Sequence, residues 1–174
     1  AVCDGNFYRG RTVCVVGGGD SAVEEAVYLS NICGKVHIVH RRDEFRAGKI
    51  AKDSADARPN IVYELSCAPV EILGDEFVTA LRVKELKTDA VRDVPCEGVF
   101  LYVGINPSTE FAKEKLELSE QGFIVTNERM RTSMEGVYAA GDVRRARARQ
   151  VATAVGDGAE AAISAQQYLQ EYPW

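Results

Sequence analysis

Two clusters of residues early in the chain have the types and spacing to bind an anionic dinucleotide. Gly17, Gly19 and Ala22 form a G-x-G-x-x-A pattern directly after the apolar run of residues 13–16, which reads as a buried strand turning into a helix. Gly17 permits the tight turn, Gly19 lets backbone approach a pyrophosphate, and Ala22 lets the helix pack closely on the strand. With Asp20 and Ser21 at the helix start, these residues are the candidate pyrophosphate site. About 20 residues further on, where an Asp or Glu would bind a free ribose 2'-hydroxyl, a second strand over residues 35–39 runs into His40, Arg41 and Arg42, with Arg46 beyond. Guanidinium groups there bind a 2'-phosphate through charge-assisted, forked hydrogen bonds, whereas an acid would repel it. The cofactor implied is therefore NADPH. His40 reads equally as a phosphate contact or as an ordinary strand-end histidine. If Asp43 opens a helix, Arg46 returns over the same site.

The rest of the composition bounds the setting. A chain of 174 residues with 46% apolar content can bury a real core, as one large domain or two small ones. A net charge of -5 speaks against wholesale binding to nucleic acid or an anionic membrane. No apolar run approaches the roughly 18 residues of a membrane helix. No signal peptide is recognisable, a point of little weight because the chain opens at Ala1 inside what reads as an ongoing motif. Five cysteines at irregular spacing make neither a disulfide framework nor a zinc site, so a reducing cytoplasm is the default. Cys14, Cys33, Cys67 and Cys96 read as small core residues.

Several elements must position these groups. Ala22, Val23, Ala26, Val27 and Leu29 form a helical stripe from Asp20 to about Cys33, ended by Gly34. A second helix is expected from Phe45 to about Ala57, closed by Pro59 and Asn60. Residues 61–103 change character to alternating runs that turn at Gly74 and Asp75, as antiparallel hairpin strands do. An apolar strand over residues 98–103 then rejoins the core sheet. Gly104, Asn106 and Pro107 mark a boundary, followed by a polar helix near Thr109, short strands at 123–125 and 137–140, a loop at 141–149 and a long helix at about 150–169. The fold class is α/β, a Rossmann-like parallel sheet with an antiparallel hairpin insert in residues 1–105. Residues 106–174 make a poor independent core.

Taken together, the dinucleotide elements, GVYAAGD at 136–142 and RQVATAVGDGAEAA at 149–162 resemble the low-molecular-weight, bacterial-type thioredoxin reductase family over nearly the whole chain. In that family an NADPH-binding domain is inserted into an FAD-binding domain. The resemblance implies that residues 1–105 are the NADPH domain with the end of the redox motif, and that 106–174 are the C-terminal segment of the FAD domain. Cys3-Asp4-Gly5, followed by Phe7 and Tyr8, resembles the end of the family's C-x-x-C motif. Cys3 is then the flavin-proximal thiol, Asp4 the acid that manages its proton, and the partner cysteine falls immediately before Ala1. Gly141 and Asp142 resemble the turn whose acid hydrogen-bonds a ribityl hydroxyl, and Arg149, Gln150 and Val151 the helix start facing the isoalloxazine ring.

The activity so implied is an NADPH-dependent flavoprotein, binding FAD, that reduces thioredoxin or a similar disulfide protein. It would be a cytoplasmic homodimer without nucleic-acid or membrane partners, of which this chain would be a piece expected to be inactive alone. One departure is the run Arg144, Arg145, Ala146, Arg147, which reads as a solvated loop rather than a nucleic-acid patch. Two alternatives stand beside this reading. One is an NADPH-binding module without turnover, and the other is the flavoprotein component of alkyl hydroperoxide reductase. The latter needs a further N-terminal domain and normally uses NADH, against which the arginines argue. A ferredoxin-dependent relative would lack the redox cysteines, against which Cys3 argues.

Overall fold

The computed structural model describes residues 1–172, which fall into two compact units that divide between Gly104 and Ile105. The first is built on four parallel strands in the order β3-β2-β1-β7: β1 (Thr12–Val16), β2 (Lys35–His40), β3 (Ile61–Leu65) and β7 (Gly98–Leu101). Crossover helices α1 (Asp20–Ser30) and α2 (Lys49–Asp56) join the first three strands. The insert is a separate antiparallel sheet, β4 (Cys67–Gly74), β5 (Val78–Glu85) and β6 (Val91–Pro95), with β5 central.

Period-two alternation explains why both faces of the parallel sheet are dry. Val13 and Val15 of β1 and Val36 and Ile38 of β2 pack with Ala22, Ala26 and Leu29 of α1. Cys14, Val16 and Val39 point the other way and meet Leu81, Val83 and Val94 of the antiparallel sheet, with Cys67 and Cys96. The four core cysteines are free and buried, and burial raises the thiol pKa of Cys33 and Cys67. A charged cluster also ties the sheets together. Glu64 of β3 takes a hydrogen bond from Arg92 of β6 at 2.5 Å and lies 2.9 Å from His37 of β2. Burial alone would raise the Glu64 pKa, but these bonds hold it below the usual carboxylate value.

Four expectations need correction. The first helix stops at Ser30, where the Ser30 hydroxyl and the Asn31 amide both turn back to the Val27 carbonyl. The second begins at Lys49 rather than Phe45, because the amides of Arg46 and Ala47 donate to the Gly18 carbonyl and are not free to start a helix. Thr109 opens only a short 3-10 turn, Glu110–Ala112, its hydroxyl spent on the Gly122 carbonyl. The segments at 123–125 and 137–140 form isolated bridges, Leu118 with Ile124, Ile124 with Arg144 and Arg131 with Tyr138, rather than strands.

The second unit has a small core of Ala112, Ile124 and Ala139 and ends in α3 (Val151–Glu171). Only Asp157 and Ser164 of that helix are buried. Val151, Val155 and Ile163 are exposed.

Candidate functional site

At the carboxyl end of β1 the chain turns through three consecutive glycines, each for a different reason. Gly17 has φ +150, and a Cβ there would lie 2.5 Å from the Tyr102 carbonyl oxygen and 2.8 Å from the Ala22 methyl. At Gly18 a Cβ would lie 2.3 Å from Cε1 and from Nδ1 of the His40 imidazole, closer than any real contact. Gly19, the N-cap of α1, is the opposite case. It has no side-chain cap, and a Cβ there would meet nothing within 4 Å. The start of α1 thus presents backbone amides, with the positive end of the helix dipole, to open space.

Asp20 and Ser21 are exposed beside that opening and Ala22 is buried beneath it. The Asp20 carboxylate has a structural task as well, accepting the Gly48 amide at 2.7 Å and so tying the start of α2 to the start of α1. A cleft of about 510 Å³ opens between the two helices, lined by Asp20, Glu24, Val27, Lys49 and Ile50 among others.

His40, at the end of β2, is 6% exposed. Its ring stacks on Phe45 at 5.7 Å, and Phe45 meets Tyr63 edge-on at 5.0 Å. Burial lowers its pKa, and repulsion from Arg42, Arg46 and Arg41 adds to the shift. A neutral, buried ring of this kind is the floor of the glycine turn. Arg41, Arg42 and Arg46 are all exposed and none is in an ion pair among the described residues. Arg46 reaches the turn through its backbone bond to Gly18 at 2.7 Å, not through a helix opened by Asp43. The result is three unneutralised guanidinium groups around the end of β2, next to an uncapped helix start. Gly18 and Phe45 were not among the residues expected from the sequence. The triple glycine beside a strand-end histidine was the available signal.

In the second unit, Gly141 at φ +76 opens a 3-10 turn, Gly141–Val143, on which Asp142 is exposed. Gln150 caps α3, its amide donating to the Thr153 hydroxyl at 3.1 Å, and Val151 begins the helix fully outside the core at 82% exposure. The Arg149 guanidinium lies 4.1 Å over the Phe123 ring. The arginine run is not uniformly solvated, which corrects the expectation for Arg144: its side chain is largely buried against Asp157. Cys3 and Asp4 are exposed just before the turn Gly5–Tyr8. No group of residues that could hold a metal ion is present among the described residues, and no helix among them is long and apolar enough to cross a membrane.

The profile of the pyridine nucleotide-disulphide oxidoreductases matches residues 5–158. The thioredoxin reductase of Listeria innocua is 44% identical over 172 residues, which are 98% of this chain and 54% of that protein. Thioredoxin reductase 2 of Arabidopsis thaliana is 45% identical over 177 residues, 98% of this chain and 46% of that protein. Among solved structures, the thioredoxin reductase of Streptococcus pyogenes superposes with a TM-score of 0.90 at 45% identity, covering 99% of this chain and 56% of that one. The chain therefore spans about half the length of the relatives it matches.

Proposed function

This chain belongs to the pyridine nucleotide-disulphide oxidoreductase family, and we propose that it supplies the NADPH-binding domain and the C-terminal flavin-binding segment of a cytoplasmic thioredoxin reductase. The observation that carries the reading is the conjunction at the carboxyl ends of β1 and β2. There an uncapped helix start faces open space at Gly19, and the exposed Arg41, Arg42 and Arg46 surround a neutral His40. A pyrophosphate fits the first and a 2'-phosphate the second. Gly17, Ala22 and His40 act beneath the ligand, holding the turn in shape. Gly19, Asp20, Ser21 and the arginines line it.

FAD is the second cofactor in this reading, and the second unit fits part of it. Asp142 stands exposed on a turn as a hydroxyl acceptor, and the apolar start of α3 at Val151 lies open, with Arg149 and Gln150 just before it. When bound, the flavin would carry an electron pair from NADPH to a protein disulfide. The residues of this chain bind and orient around that chemistry. The start of α3 sets partial positive charge where a reduced ring gains electron density. Cys3 serves as the thiol nearest the flavin, and Asp4 holds or returns its proton. Thiol exchange then passes the electrons to thioredoxin or a similar disulfide protein. A homodimer is the proposed state of the enzyme.

Titration of this chain with NADPH and with NADH, followed by nicotinamide fluorescence, tests the reading. NADPH is expected to bind at least about tenfold more tightly, one charge-assisted contact to the 2'-phosphate being sufficient for that. Equal affinities would overturn it.

A further inference from the structure

Asp157 is the buried acid of α3, and it is engaged on three sides. The Arg144 guanidinium donates to it twice, Nε to Oδ2 at 2.5 Å and Nη2 to Oδ1 at 2.6 Å, with the side chains 18% and 11% exposed. The same Oδ2 accepts the Gly141 amide at 3.1 Å. Arg144 closes the circuit, its own amide donating to the Gly141 carbonyl at 3.2 Å. Two further backbone bonds, Ile124 to the Val143 carbonyl and Arg145 to the Ile124 carbonyl, fasten the segment from its other side at 3.1 and 2.8 Å.

This circuit joins two parts of the chain near the start of α3, where the bond from the Tyr138 hydroxyl to the Ser164 carbonyl does not reach. One is the turn Gly141–Val143, which carries Asp142. The other is α3 near its start, a helix that buries no apolar residue. Asp142 itself is exposed, so its placement depends on the backbone of its turn, and that backbone is anchored at Gly141 by the Asp157 carboxylate. We infer that the Arg144–Asp157 pair is a positioning device that holds the Asp142 carboxylate at a fixed distance from the first turn of α3, so that both meet one flavin. This rests on the reading of the second unit as part of a flavin site.

A buried ion pair can often be replaced by apolar residues of similar size with little loss of stability, whereas removing one partner leaves an uncompensated charge. That contrast separates positioning from mere stability. In the flavin-loaded holoprotein, the paired substitution Arg144→Met with Asp157→Leu should keep the melting temperature near that of the parent. It should nevertheless weaken FAD binding about tenfold and change the visible circular dichroism of the bound flavin, because the Gly141 amide has lost its acceptor. Parental FAD affinity and dichroism in the double variant would overturn the inference.

Asp142→Ala, measured alongside, keeps the two readings apart. If it weakens FAD while the double variant does not, the positioning role fails and the flavin site stands. If neither affects FAD, the flavin reading itself fails. Should the double variant not fold, hydrogen exchange in the 174-residue chain decides. Asp157→Asn is expected to speed exchange of the Gly141 amide about tenfold while leaving the amides of β1 unchanged, and an unchanged rate at Gly141 would remove the carboxylate from that role.

Discussion

Gly19→Ala should separate cofactor recognition from folding, and its neighbour Gly18→Ala should do the reverse. A methyl on residue 19 meets no heavy atom within 4 Å, and the backbone at φ -93, ψ 178 suits any residue. The structural cost is only that of a poorer N-cap, about 1 kcal/mol or less. For a unit of this size that lowers the melting temperature by about 4 to 8 °C at most. In the proposed site, the same methyl would stand where the pyrophosphate approaches the α1 amides. Losing one charge-assisted bond of about 1.5 to 3 kcal/mol weakens NADPH by about tenfold or more. A methyl on residue 18 instead collides with the buried His40 ring, and overpacking of that kind costs about 1 to 3 kcal/mol. Adding His40→Ala should return part of that loss, a coupling of roughly 1 kcal/mol between touching residues. Thermal melts and NADPH fluorescence titrations on the same preparations read both quantities. The reasoning is refuted if Gly19→Ala binds NADPH like the parent, or if it destabilises the chain as much as Gly18→Ala does.

Three further outcomes follow from the same geometry. Arg42→Ala should weaken NADPH about tenfold or more and leave NADH nearly unchanged, since an exposed, unpaired guanidinium can favour only the 2'-phosphate; equal losses for both cofactors would sink this. The folded chain holds His40 neutral, its pKa lowered first by burial, whereas the unfolded chain protonates it below about pH 6.5. The contribution is therefore fully present above that value and is lost as the pH falls from it through the lowered value of the folded chain. His40→Gln should flatten the stability profile below about pH 6.5, and an unchanged slope by urea denaturation would count against a buried neutral ring. In the flavin-loaded holoprotein, Cys3→Ser should abolish thioredoxin reduction but spare the bleaching of flavin by NADPH in stopped flow, because the two half-reactions use different groups. Retained thioredoxin turnover would remove Cys3 from the mechanism.

What could be read without the structure was what local chemistry decides. The run Val13, Cys14, Val15, Val16 had to be a strand dry on both faces, and it is. The glycines after it had to turn into a helix, and the alternating stretch around Gly74 had to be an antiparallel ribbon. Two of the misses share a cause, which is that tertiary hydrogen bonds outbid local propensity. Residues 45–47 could have opened the second helix, but Gly18 takes the amides of Arg46 and Ala47, and Asp20 takes that of Gly48. Thr109 could cap a helix but spends its hydroxyl on Gly122. A segment such as 123–125 is apolar enough for a strand, yet its bridging partners, Leu118 and Arg144, stand singly.

The arginines show the same logic at the level of function. Six of them fall in two runs, and composition alone cannot say which bind a ligand and which bind the protein. The discriminating quantity is whether a buried acid lies within reach. Arg144 has Asp157 in a bidentate geometry and is consumed by the fold. Arg41, Arg42 and Arg46 have no acid in an ion pair among the described residues, and their shared neighbour is an imidazole that burial keeps uncharged. A charged histidine there would add to the positive field, and an acid in its place would cancel part of it. A neutral ring under Gly18 does neither. It leaves the guanidinium groups to be answered from solvent, and in the proposed reading the dianionic 2'-phosphate of NADPH would answer them with the charge that NADH lacks.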